Sequence, residues 1–550
     1  MISFKQLSVS RDSPSYKWWM GFALAIGSST VSFAERMIGI AIPQIMVAMG
    51  VGLDKVQWVR TGPAVVRTIL GPMVSWLAGI FGTRRLYLST FVVYIICSAF
   101  AGSSWNLGLL IFFLVLKNAG GGLRQPLSMS LMYRAFPPQQ RGLAMGLYQS
   151  SNVVGPLIAP LIGGWLVETL GWRWVFYANI PINMIALLLI MMVMPRDIDE
   201  DRRERAVSVD FIGLGTLSLG LSTMVWAVNH GTEWGWDSRP ILSLFGLAVV
   251  SLVVLIYAEL KSKHPVFEVR IFKNIPFTLS FLARVLNTAI FQSTNFIFGI
   301  FLQRELRFSP LQAGQQLVPM AVTSGMGALG FGALADRMRI TGVVAMTVLA
   351  ASIMMYFYTD LDVGATLLHI VTLTALQSFF RSGTQSTMTT MALGTLPPEQ
   401  TTLGAGMDTL ARNLGNSVGV PLLSSFVTQR ELSYLTKLMR IQTLDRDAPN
   451  QALETLQDAF TQAGQPLAEA RTRSQSLLRN QLIERASIEA YHDSFRLVSI
   501  AGLLLVPMVL LIGGVPNPKA RLRYFSKMMV RKPDEPSPPK SAVPRREQES

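Results

Sequence analysis

Ten charged side chains within apolar stretches of this chain are candidates for chemistry: Glu35, Arg36, Arg60, Arg67, Lys117, Arg124, Arg284, Arg381, Asp408 and Arg412. An ionised group at the centre of a membrane helix costs roughly 2.5 to 3.5 kcal/mol on insertion scales, so each is expected to face a cavity or a partner. The two carboxylates are the candidates for proton coupling, because a carboxylate in a partly dry cavity can alternate between protonated and ionised forms. Glu35 is the first of them, and its neighbour Arg36 points elsewhere on a helix and so does not oppose that alternation. Asp408 is the second; with Arg412 four residues on, it could equally form a structural ion pair. The cations Arg36, Arg67, Lys117, Arg124, Arg381 and Arg412 would line a substrate cavity that draws anionic or weakly acidic amphipaths. The alternative is that they bind backbone carbonyls and fix helix ends. Arg60 and Arg284 fall near segment ends, where snorkelling to the interface accounts for them.

The elements that must position these residues are membrane spans. Of 550 residues, 50% are apolar and only 15% charged, with mean hydropathy +0.39; soluble domains carry about 25% charged residues. Apolar segments cover 18–42, 58–80, 86–105, 106–133, 143–168, 174–194, 210–230, 240–259, 277–303, 312–334, 341–358, 363–391, 402–427 and 494–515. A helix needs about 20 apolar residues to cross a bilayer, so the chain reads as an all-α integral membrane protein with 14 transmembrane helices. The net charge of +15 does not indicate a nucleic-acid partner, because the basic residues lie mostly in short connections. With the amino terminus inside, the inner connections hold seventeen Lys and Arg and the short outer ones five. Both termini are therefore expected in the cytoplasm. The lone Cys97 excludes a disulfide framework or a cysteine-rich metal site. No Walker lysine, zinc-protease or nucleophile-elbow pattern occurs, and "GMGALG" at 325–330 lies in an apolar span, where it reads as helix packing. No catalytic residue, metal or cofactor is expected, and an ion gradient must supply the energy.

A repeat organises the chain. "FPPQQRGLAMGLYQSSNVVG" from Phe136 recurs as "LPPEQTTLGAGMDTLARNLG" from Leu396, pairing Pro137 with Pro397, Gly146 with Gly406 and Gly155 with Gly415. Two related six-helix halves, 18–194 and 277–515, are expected, with two inserted helices over 210–259, a cytoplasmic leader over 1–17 and a disordered cytoplasmic tail over 516–550. Internal duplication of this kind is a mark of secondary transporters, which bind substrate near the midplane between repeats.

The second span and its loop, "WVRTGPAVVRTILGPMVSWLAGIFGTRR", carry Trp58, Val59, Thr61, Pro72, Leu77, Ala78, Gly82, Arg84 and Arg85 in a recognisable pattern. The fourth span has "NAGGGLRQPLSMSL", and the fifth has "GPLIAPLIGGWL" followed by "WRWVFYANIPI". In these residues the chain resembles the major facilitator superfamily, specifically its fourteen-helix drug:proton antiporters of the EmrB/QacA type. The resemblance implies the major facilitator fold, and gating loops built on Gly82, Arg84 and Arg85 in one half and Asp336 and Arg337 in the other. It also implies an antiporter helix motif at Gly155, Pro156, Ala159, Pro160, Gly163 and Gly164. Gly79 stands where the family usually has an aspartate, and Leu114, Lys117 and Asn118 replace its Arg-x-x-Gln-Gly. Gly155, Ala159 and Gly163 share a helix face that admits another backbone. The loop arginines could instead serve only topology.

The polar segment 428–493 has apolar residues at helical spacing and reads as a helical hairpin outside the membrane. By the resemblance it would dock a periplasmic adaptor protein and an outer-membrane channel; a free loop is the alternative. The function expected is proton-coupled efflux of hydrophobic amphipathic small molecules across the lipid bilayer by alternating access. The rival is a passive lipid or solute facilitator, or a membrane sensor, that kept the fold and lost coupling.

Overall fold

The structure, a computed structural model, describes residues 15–195, 211–262, 267–306, 317–361, 364–444, 447–463 and 466–512. The leader up to residue 14, the basic stretch 196–210 and the expected tail lie outside the described residues. Among those described, fifteen helices of at least fifteen residues form the fold. They are α1 (Tyr16–Met49), α2 (Trp58–Phe81), α3 (Thr83–Gly102), α4 (Leu107–Ala135), α5 (Arg141–Thr169), α6 (Asn179–Val193), α7 (Phe211–Trp234) and α8 (Arg239–Lys261). The chain continues through α9 (Ile275–Arg304), α10 (Leu317–Arg337), α11 (Ile340–Tyr356), α12 (Leu367–Gly394), α13 (Thr401–Leu444), α14 (Asp447–Gln462) and α15 (Leu467–Leu511).

Each of the fourteen apolar segments holds one of these helices, but not all are equally apolar. Eleven are long and apolar enough to cross a membrane, and α7 contains the shorter apolar stretch Ile212–Val228. The other two, α12 and α13, are more polar than the segment reading implied. On α12 the reason is visible: Thr384, Thr387, Thr389 and Thr390 each donate a hydroxyl to the carbonyl four residues earlier. Hydroxyls satisfied by their own helix can be buried without a partner helix.

Local chemistry sets the breaks. Gly82 takes φ 80°, a left-handed conformation that favours glycine, and turns α2 into α3 within one residue. Asn106 caps α4 by accepting from the Leu109 N–H at 2.8 Å, which separates α3 from α4. The segments α13 and α15 continue unbroken past their apolar parts, so the expected hairpin is built on two very long helices with α14 between them. Its base is tied by Arg304 to Glu431 (2.7 Å), by the Ser487 hydroxyl to Glu305 (2.6 Å) and by the Tyr434 hydroxyl to Asp493 (2.8 Å). Burial lifts the Glu305 carboxyl above the usual carboxylate range, with Ser487 and Arg304 opposing that rise.

One apolar core joins α1, α3, α4, α5 and α6 around Tyr87, Phe91, Met132 and Tyr148. Another joins α9, α11, α13 and α15 around Phe291, Phe301, Met355 and Phe495. Met73, Leu221, Leu255, Phe277, Met407 and Leu410 form a third, which seats the α7–α8 pair against α2, α9 and α13.

Candidate functional site

Three glycines in a row let four helices meet. A Cβ on Gly120 would lie 2.9 Å from the Thr90 carbonyl of α3, one on Gly121 3.4 Å from Val31 of α1, and one on Gly122 3.0 Å from the Arg67 Cα of α2. The approaches at Gly120 and Gly122 are too tight for a side chain without a shift of backbone, and the last one fixes the backbone that carries Arg67.

Arg67 forms an ion pair with Glu35, linking α2 to α1. The Glu35 side chain is 38% exposed and Arg67 20%, so the pair is not sealed inside the bundle. Arg67 is repelled by Arg412 of α13, Arg381 of α12 by Arg36 of α1, and Arg36 by Arg60. Arg67 and Arg412 therefore lie near Glu35, and Arg381 lies near Arg36, the next residue on α1. Arg60 is exposed at the start of α2.

Asp408 is engaged twice. Arg284 approaches it at 3.2 Å and Arg412 at 3.5 Å, and the carboxylate and Arg284 side chains are each 1% exposed. Arg284 also donates to the Gln385 carbonyl (3.1 Å) and the Thr389 hydroxyl (2.8 Å). The snorkelling role expected for Arg284 is thus corrected: it lies nine residues into α9, beside Asp408 seven residues into α13, both counted from the same end of the bundle.

Lys117 and Arg124 are also corrected. The expectation that they line a cavity fails, because they are 1% and 0% exposed. Arg124 donates to Thr30 (2.9 Å), Asn183 (2.7 Å) and the Thr90 carbonyl (3.0 Å), and its guanidinium lies 3.8 Å from the Phe91 ring centroid. It ties α1, α3, α4 and α6 together. The Lys117 ammonium sits over the rings of Tyr94 and Phe176, at 4.7 and 5.5 Å. His369 is exposed near the start of α12.

At the end bearing the Gly82 turn, the Asp336 carboxylate accepts the backbone N–H groups of Gly142 (2.7 Å) and Leu143 (2.9 Å), capping α5 from α10. A Cβ on Gly142 would collide with the Gly332 carbonyl, and one on Gly146 would meet that of Ala328. Ser150 bonds the Gly325 carbonyl at 3.0 Å. Across α2 and α13, a Cβ on Gly406 would strike the Gly71 carbonyl, while Arg134 donates to Thr402 at 2.9 Å. This end is closed. Arg84 donates to the Met194 carbonyl at 3.2 Å, whereas Arg85 and Arg337 are exposed. Gly79 has open space where a Cβ would stand. On α5, Gly155 and Gly163 face α1, Ala159 is fully buried, Pro160 is exposed, and Gly164 meets nothing. The Pro156 side chain lies outside those described.

Residues 24–420 match the family model described as Major Facilitator Superfamily. The chain belongs to that superfamily. It is 26% identical over 427 residues to the multidrug export protein EmrB of Escherichia coli K12, covering 76% of this chain and 82% of that one. Its identity to the multidrug transporter protein MdtP of Bacillus subtilis is 27% over 407 residues, 73% of each chain. For the probable multidrug resistance protein EmrY of Escherichia coli K12 it is 24% over 501 residues, 90% of this chain and 94% of that one. The crystal structure of the human organic anion transporter MFSD10 superposes with TM-score 0.55 at 12% identity, over 89% of this chain and 100% of that one, which shows the shared fold.

This major facilitator protein is a multi-pass membrane transporter and not an enzyme. Sequence reasoning found Glu35, Asp408 and the Asp408–Arg412 pairing, and missed the partners on other helices, Arg67 for Glu35 and Arg284 for Asp408. The second was accessible from depth: two opposite charges at nearly equal distances from the same end of neighbouring spans can meet.

Proposed function

We propose that this chain is a proton-coupled multidrug exporter of hydrophobic amphipathic compounds, favouring anionic or weakly acidic ones. The observation that carries this reading is the Glu35–Arg67 pair, a partly exposed carboxylate that ties α1 to α2 beside a surplus of arginines. While Glu35 is ionised the pair holds, and Arg36, Arg381 and Arg412 leave its surroundings positive. Substrate rides this stroke. A proton on Glu35 removes the partner of Arg67, untying α1 from α2 for the return stroke. Asp408, clamped by two arginines, is the second proton candidate.

The closed end, with its Asp336 cap, is the cytoplasmic gate, and alternating access consists of parting α5 from α10 and α2 from α13 there. The similarity to EmrB supports an inner-membrane location with both termini inside, and a periplasmic adaptor with an outer-membrane channel as partners for the helical extension.

Reconstituted protein with an imposed proton gradient tests the reading against a panel of lipophilic weak acids and dications. Glu35→Gln should stay inserted, retain downhill exchange and lose uphill export by at least about tenfold, equivalent to 1.4 kcal/mol of coupling. Undiminished uphill export by that variant, or gradient-independent transport by the wild type, overturns proton coupling through Glu35. Preference for a dication overturns the substrate class.

A further inference from the structure

Beyond the Arg284–Asp408 pair, moving away from the closed end, α9, α12 and α13 bury a polar layer. Asn287 and Gln377 are fully buried, Ser378 is 1% exposed and Thr288 5%. Among the described residues, both polar atoms of each of these two amides and both hydroxyls lack a protein hydrogen-bond partner. An unpaired buried donor or acceptor costs about 1–3 kcal/mol, so six together favour an occupant, an ordered water or a ligand. The hydroxyls of Thr387 and Thr390, on the same helix as Ser378, show the usual solution of bonding back along it.

Register places these residues one to two turns beyond the Arg284–Asp408 pair, on the two helices that Arg284 joins. Asn287 and Thr288 follow Arg284 by one turn of α9, and a Cβ on Gly415 of α13 would lie 2.8 Å from Thr288. On α12, Gln377 and Arg381 share the face of Gln385, whose carbonyl accepts from Arg284. The charge here is unbalanced: Arg284 and Arg412 flank the single carboxylate Asp408, and Arg381 adds another cation. Amide and hydroxyl donors beside surplus positive charge suit an anion. A cation would meet the arginines, with Asp408 already engaged on both sides.

We propose that Asn287, Thr288, Gln377 and Ser378 form a binding site for a small monovalent anionic group, held by the positive surplus of Arg284, Asp408 and Arg412. The group is either free chloride or the carboxylate of a substrate; only the second source rests on the export reading. Filling the site joins α9, α12 and α13 through one ligand.

The test uses the full-length protein, purified in detergent in sulfate buffer without any gradient, so that failure of transport coupling does not affect it. Thermal unfolding is followed while chloride, or separately benzoate, is titrated in at constant ionic strength. A saturable rise in the unfolding midpoint is expected, and Asn287→Leu with Gln377→Leu should weaken the response at least about tenfold. Gln377→Glu, which keeps a polar side chain in the layer, is the second variant: its built-in carboxylate should raise the midpoint in sulfate and abolish the response. A chloride response identifies the inorganic ion, a benzoate response alone the substrate carboxylate, and mutual competition a shared site. Wild-type protein that shows no saturable response to either anion, and retains no radiolabelled chloride in equilibrium dialysis, overturns the proposal. So does a response unchanged in both variants.

Discussion

At the scale of single residues, charge in an apolar run is legible because it is anomalous, but its purpose depends on a partner carried by another helix. Arg124 and Lys117, seven residues apart, read as two cations on one face, yet burial assigns them to the interior of α1, α3, α4 and α6. Arg124 is a strut: its fork supplies Thr30, Asn183 and the Thr90 carbonyl at once. Arg124→Ala strands those acceptors and should lower stability by about 3 kcal/mol, the range for hydrogen bonds to a charged group. Arg124→Lys keeps the charge but cannot span three directions, so it should recover only part of the loss. Thermal unfolding in detergent checks both; a normal midpoint for Arg124→Ala with lost transport of acids would make it a cavity residue after all. Glu35 shows the other side of the same limit, since its carboxylate stands out in the sequence and nothing in the spacing points to Arg67.

At the scale of elements, hydrophobic length located all the apolar segments, while the contacts that close one end involve backbone and were invisible. The role of Asp336 is the example: its partners are two peptide N–H groups at the start of α5, which carry no side-chain signature. The repeat aligns Gly142 with Thr402, and there the second copy differs, since Ser130 and Arg134 engage the Thr402 hydroxyl instead. With Gly79 in place of an acid, the two copies of the loop close their ends by different chemistry. Closure at α5–α10 rests on glycine, because a Cβ on Gly332 would strike the Gly142 carbonyl. Gly332→Val should therefore push these helices apart and shift the population toward a state open at this end. Cys97 is buried, so the background of thiol labelling is low. A cysteine at Ser150, whose hydroxyl lies in this contact, should react with a maleimide at least about tenfold faster in the Gly332→Val background. Equal rates in the two backgrounds would place the closing contact elsewhere.

At the scale of the whole molecule, the polar segment 428–493 is large beside the loops of the other helices, and its helical spacing was legible while its reach was not. At about 1.5 Å per residue, α13 continues for roughly 25 Å past residue 428 and α15 runs for roughly 40 Å before residue 493. The base joins α9, α13 and α15 through Arg304, Glu431, Glu305, Ser487, Tyr434 and Asp493, so force on the extension passes directly to helices that carry the Asp408 cluster. An adaptor seated there would be mechanically connected to the transport cycle, whereas a free loop would need no such base. Replacing α14 with a short Gly-Ser linker removes the tip and leaves this base intact. Transport in proteoliposomes should then stay within about twofold of wild type, a change under 0.5 kcal/mol in barrier height. Resistance conferred on cells with two membranes should be lost. Retained resistance would show that the tip docks nothing essential, and lost proteoliposome transport would make α14 part of the transporter's own machinery.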